Sequence, residues 1–116
     1  MEHDKFSFER LEVFRVAREA LAAYVAVRSC FRGLPGELGP QIESALVSVV
    51  ANIAEGAGRA SRADQRRHYV IASGSAQESA ALLSVAELFV VVPEDARRVI
   101  RARLLSTVKM LFSLAR

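Results

Sequence analysis

Three clusters of helix-breaking residues constrain this chain more than any other feature. Gly33, Pro35, Gly36, Gly39 and Pro40 form the first, Gly56, Gly58 and Ser61 the second, and Pro93 marks the third. Glycine and proline punctuate regular structure, so each cluster marks a turn. Four stretches remain, near residues 8–31, 40–56, 62–91 and 93–115, each long enough for several helical turns. Nineteen alanines and 12 leucines against 6 glycines and 3 prolines favour helix in all four. The fold class expected is therefore all-α. Helices joined by connections this short alternate in direction, which predicts an up-down-up-down antiparallel four-helix bundle filling one domain, residues 1–116. No apolar run approaches the roughly 20 residues that span a bilayer. The first ten residues carry three acids and no apolar core of a secretory signal.

Hydrophobic spacing supports each stretch. In the first, Leu11, Phe14, Ala17, Leu21, Tyr24 and Val25 recur at the 3-and-4 interval of one helical face, with Phe31 beyond. The second has Pro40 in its first turn, where a missing N–H costs nothing. Ser61 stands where its hydroxyl can accept from the N–H of Asp64 and cap the third. The fourth opens Pro93-Glu94-Asp95 and ends near Lys109 and Arg116, matching the helix dipole at both ends. Its apolar stripe is Val99, Ile100, Leu104, Val108, Leu111, Phe112 and Ala115.

The second stretch is wider in apolar surface than one core requires. Ile42, Ala45, Leu46, Val49 and Ile53 make one stripe, and Val47, Val50, Ala51 and Ala54 make another beside it. Gln41, Ser44, Ser48, Asn52 and Glu55 remain as a narrow polar line. Two readings fit: an interior helix covered by its own neighbours, or a subunit interface whose small side chains admit a second backbone.

Catalytic chemistry finds little support. His3 and His68 share no metal-binding spacing, and Cys30 stands alone, which excludes an internal disulfide and a cysteine metal cluster. A lone thiol on an amphipathic helix reads as a structural side chain in a reducing, cytoplasmic setting. Glu78 reads as a partly inward carboxylate paired with Arg59 or Asn52. Gly56 and Gly58 lack the lysine and preceding strand of a phosphate loop and read instead as a helix stop and tight turn with φ > 0. Neither a cofactor nor an enzymatic activity is expected.

Charge leaves one further candidate. The net charge of +3 divides unevenly: residues 1–58 carry 6 basic and 8 acidic side chains, residues 59–116 carry 10 and 5. Arg59, Arg62, Arg66 and Arg67 cluster beside His68, and Arg97 and Arg101 lie one turn apart further on. Guanidinium groups at a helix start suit phosphate contact with RNA or DNA. A solvated helix face has the same composition, so both readings stand. Only Tyr69 is near enough to stack on a base, and its spacing suggests core.

The run Asn52-Ile53-Ala54-Glu55-Gly56, followed by Gly58 and Arg59, resembles the small helical proteins encoded in intervening sequences of bacterial large-subunit rRNA genes. Phe8 to Phe14 with Ala17 and Leu21, then Glu37, Leu38 and Gln41, and later Ala72, Gly74, Ser75 and Glu78 carry the likeness across most of the chain. Glu43 and Ser44 stand where that family usually has arginines, Val13-Phe14 replaces its usual Val-Trp, and Arg67 to Val70 replaces an aromatic pair. The resemblance implies a four-helix bundle without enzymatic activity, assembling as a ring-shaped homo-oligomer, a pentamer. More distantly in architecture, the chain is similar to the accessory variability protein of diversity-generating retroelements. That likeness implies nucleic-acid association beside a partner enzyme such as a reverse transcriptase; the alternative is a protein-interaction scaffold that binds no nucleic acid.

Overall fold

The computed structural model describes residues 4–116 and is helical in every regular element among them; His3 lies outside the described residues. Four α-helices follow one another: α1 Glu12–Ala26, α2 Leu38–Ala57, α3 Arg62–Ala86 and α4 Glu94–Leu114. Two 3-10 turns, Ser7–Arg10 and Arg28–Phe31, flank α1.

Those turns take up the ends of the stretch expected as one helix over 8–31. Leu11 is extended, with φ −91° and ψ 124°, which separates the first turn from α1. At the other end the N–H groups of Val27 and Cys30 bond carbonyls three residues back, those of Tyr24 and Val27. This tighter winding brings the Phe31 ring to 5.0 Å from that of Tyr24, and both rings are buried. Helix α3 stops at Ala86 rather than running to residue 91, and Val91 and Val92 lead without helix into Pro93. Proline disfavours the α conformation in the residue before it, which accounts for Val92 alone; the turn over residues 87–89 has already ended the helix. Gly36 is the one described residue with a positive φ, +55°, in the loop before α2.

One core joins all four helices. Val13, Ala17, Ala20 and Tyr24 enter it from α1, Ile42, Leu46, Val49 and Ile53 from α2. Ala72, Ala76, Leu83 and Ala86 come from α3, and Ile100, Leu104 and Leu111 from α4. The stripe expected on α4 is thus narrower than its spacing suggested: Val99 and Phe112 point outward, and Phe112 is 71% exposed. Two pairs of side chains fix how α2 meets α3. Ser48 bonds Ser75, whereas Asn52, one turn later, bonds His68, so advancing along α2 means retreating along α3.

At that seam the helices come unusually close. A Cβ placed on Gly56 would lie 2.7 Å from Cε1 of Tyr69 and 3.1 Å from Cβ of His68. Gly56 is therefore glycine because a ring occupies the space of its side chain. The positive φ expected there is absent: Gly56 is helical, and Gly58, the cap, has φ −91°. Ser61 caps α3 as its position suggested, its hydroxyl accepting from the N–H of Asp64 at 3.1 Å.

Candidate nucleic-acid and self-association surfaces

The arginines that cluster in sequence after α2 also gather in space, at the start of α3, but they are already engaged. Arg59 pairs with Glu55 at 2.6 Å and reaches Asp64 at 3.6 Å. Arg67 donates to Asp64 at 3.1 Å. Arg62 and Arg66 turn the other way, across to the end of α4. Nη2 of Arg62 donates to the carbonyl of Arg116 at 2.5 Å, and Nε of Arg66 donates to that of Ala115 at 2.7 Å. The last carbonyls of a helix lack internal partners and carry its negative dipole end, so two guanidinium groups there complete the hydrogen bonding and the electrostatics together. In the second group Arg97 lies between Glu87 and Glu94, at 3.4 and 3.5 Å. Arg101 is exposed and has no ion-pair or hydrogen-bond partner among the described residues.

His68 departs from the basic cluster it belongs to in sequence. It is 6% exposed and part of a polar chain along the seam. A guanidinium can only donate, so the contact of Nη2 of Arg67 with Nε2 of His68, 3.1 Å, makes Nε2 the acceptor. The ring proton then sits on Nδ1 and is donated to Oδ1 of Asn52, 3.1 Å away. The Asn52 amide donates onward to the carbonyl and hydroxyl of Ser48, at 3.0 and 3.1 Å. Ser48 closes the chain on Ser75 at 2.8 Å. The expected polar line of α2 is therefore not a solvated edge along its whole length: Ser48 and Asn52 face α3. Sequence spacing gives no warning of this, because a helix surface serves water and a polar neighbour alike. Glu78, expected inward with Arg59 or Asn52 as partner, is exposed, and both of those residues bond elsewhere.

The second apolar strip of α2 lies on the outside. Val47 is 48% exposed and Ala51, one turn on, is exposed with it. Val50 and Ala54 are half-buried beside them, Val50 packing partly against the core. The outer half of the strip, Val47 and Ala51, stays exposed among the described residues. Burial raises the Tyr24 and Tyr69 hydroxyls above the ordinary tyrosine range, as befits side chains of the core. Among the described residues, no three His, Cys, Asp or Glu side chains stand together as a metal would need. No helix of theirs is long and apolar enough to cross a membrane.

Fold and surfaces together define a small all-helical protein with one chain of linked polar side chains along its α2–α3 seam. The chain belongs to the 23S rRNA-intervening sequence protein family, whose model matches residues 9–113. This is not a known enzyme family. No curated protein and no solved structure matches the chain significantly. The match spans the seam residues Asn52, Gly56 and His68, both arginine groups and the outer strip of α2.

Proposed function

We propose that this protein is a non-catalytic bundle, its helices alternating up-down-up-down, that works as a homo-oligomer assembled through the outer strip of α2. One observation carries the reading: Val47 and Ala51 are exposed on a helix that already buries a full apolar stripe on its other side. Exposed apolar surface of this kind, contiguous along a helix, marks an interaction site. The alternation is supported by the opposed running of α2 and α3 and by the bonds from the start of α3 to the end of α4. Five copies is the number the family resemblance suggests. Sedimentation velocity at micromolar concentration tests the assembly: a species several times 12.7 kDa supports it, and a stable monomer ends it.

A second reading, nucleic-acid association, has its own observation. Arg62 and Arg66 are held by main-chain oxygens, and among the described residues no acidic side chain pairs with either. With Arg59, Arg67 and, more remotely, Arg97 and Arg101, they would be the contacts with RNA or DNA phosphates, beside a partner enzyme such as a reverse transcriptase. In a pentamer the net +3 per chain becomes about +15, and weak contacts act together by multivalency. Binding would be sequence-independent and steeply salt-sensitive because displaced counterions drive it. Arg59 and Arg67, already paired with acids, contribute less than Arg62 and Arg66 in this reading. A gel shift of single-stranded and duplex nucleic acid at about 50 mM salt decides it. Without any shift by the intact oligomer, the protein is an interaction scaffold alone.

A further inference from the structure

The arginines at the start of α3 meet an aromatic ring that residue order does not place near them. Tyr69, their neighbour in sequence, is buried in the core. Phe112 lies 46 residues after Arg66, yet both line one groove between α3 and α4, a section of about 610 Å³. Ser73 and Gly74 border it with little bulk, and a Cβ on Gly74 would meet nothing within 4 Å. A second section, about 210 Å³, shares Gln77 and Val108 with the first and continues it to Arg101. Phe112 is exposed, with Val70 and Leu105 exposed along the same groove. Contiguous apolar exposure of this kind marks an interaction surface.

Charge and ring together select the occupant. The charged residues lining these two sections are Arg66, Arg101 and Arg116; among the described residues no Asp or Glu lines either. Glu87 stands beyond Arg101, toward the start of α4, where Arg97 pairs with it at 3.4 Å. Arg66 is anchored to the carbonyl of Ala115 through Nε, and its two Nη groups make no bond among the described residues. Arg101 has no partner among them. The guanidinium of Arg116 lies over the Phe112 ring, 6.0 Å from its centre. The groove thus offers unused donors for anions beside an exposed flat ring. A base joined to phosphates satisfies both, whereas an acidic peptide would satisfy the arginines and leave the ring uncovered. In a duplex the bases are stacked on one another; in a single strand their faces are free for an aromatic side chain.

We infer that the α3–α4 groove holds a single strand of nucleic acid, one base stacked on Phe112 and the neighbouring phosphates on Arg66, Arg101 and Arg116. This rests on the nucleic-acid reading and names the form of ligand it takes. Eleven residues of helix separate Arg101 from Phe112, about 16 Å by helix rise. That is room for about five nucleotides at roughly 3.4 Å each. A ring stacks on any base, so the site tolerates every sequence. The chemistry recognised, base face and phosphate, is common to RNA and DNA strands.

The chain contains no tryptophan, so Phe112→Trp places a single indole at the stacking position. Its emission is expected to fall when oligouridylate or oligothymidylate of about 20 nucleotides is added at about 50 mM salt, and the two probes separate RNA from DNA. Phe112→Ala, with helical circular dichroism and sedimentation matching the unmodified chain, is expected to bind the same strands about tenfold more weakly. The unmodified chain is expected to prefer them to a duplex of equal length. Arg101→Ala is expected to reduce the slope of log affinity against log salt by about 0.7. If the strands bind but leave the indole emission unchanged, and Phe112→Ala binds as tightly as the unmodified chain, the groove is not the site; the nucleic-acid reading then stands on the other arginines. Displacement of the strands by polyglutamate of equal charge would show recognition of charge alone and overturn the stacking. If neither strand nor duplex binds, both readings fall.

Discussion

The two seams that α3 makes, with α2 and with α4, use small residues to opposite ends. Toward α2, Gly56 removes a side chain so that Tyr69 and His68 can approach, and the seam closes with four linked polar side chains. Toward α4, a Cβ on Gly74 would meet nothing within 4 Å, and Ser73 and Gly74 border a groove with Val108 and Phe112. Glycine in a helix costs about 1 kcal/mol relative to alanine in either place. At Gly56 that cost is recovered as helix contact within the chain. At Gly74 no contact among the described residues recovers it.

The comparison is most sharply broken at Gly56. Valine there must displace the Tyr69 ring or part the helices, and overpacking of this kind costs about 3 kcal/mol. Urea denaturation reads the loss, and an unchanged midpoint would mean the seam is looser than its distances imply. Asn52→Ala comes next. It strips Nδ1–H of the buried His68 of its acceptor, and a buried polar group left without a partner costs about 2 kcal/mol. Gly74→Ala has the opposite sign: with open space around the new methyl, it gains about 1 kcal/mol of helix propensity, seen as a higher melting temperature. A loss at Gly74 equal to that at Gly56 would erase the distinction between the faces.

The smallest effect lies outside both seams, where Glu19 ties α1 to α4. The hydrogen bond from Arg103, 2.7 Å, and the charge of Arg15 hold its carboxyl below the usual carboxylate range. A carboxyl lowered by folding stabilises the protein at and above its unfolded pKa, and that contribution fades as pH falls through the folded one. Glu19→Gln should therefore lower stability at neutral pH by a small amount and leave it unchanged at strongly acid pH. The pair is half-exposed, so salt weakens the difference. Equal loss at both pH values would assign the effect to packing rather than charge.

Much of the fold was legible in residue order. Breaks at Gly33 to Pro40, Gly56 to Ser61 and Pro93 mark the three connections between the α-helices, and the cap at Ser61 is where its spacing put it. The errors share one origin. A period of 3.6 tells that a residue lies on a face, but not what that face meets. Hence Phe112 and Val99, on the expected stripe, point outward, and Ser48 and Asn52, on the expected polar edge, point into the α3 seam. Gly56 is singled out for the wrong reason, because the Tyr69 ring, 13 residues on, is invisible to turn chemistry. The arginines were found, but their carbonyl partners at Ala115 and Arg116 lie 49 and 54 residues on. Only the folded chain brings them together.

The central claim is that copies of this chain join through the outer strip of α2. Sedimentation velocity of the unmodified chain beside Ala51→Glu, both at micromolar concentration, tests it most directly. The account predicts a species several times 12.7 kDa for the unmodified chain and a folded 12.7 kDa monomer for the variant. An Ala51→Glu protein that assembles like the unmodified chain would contradict it.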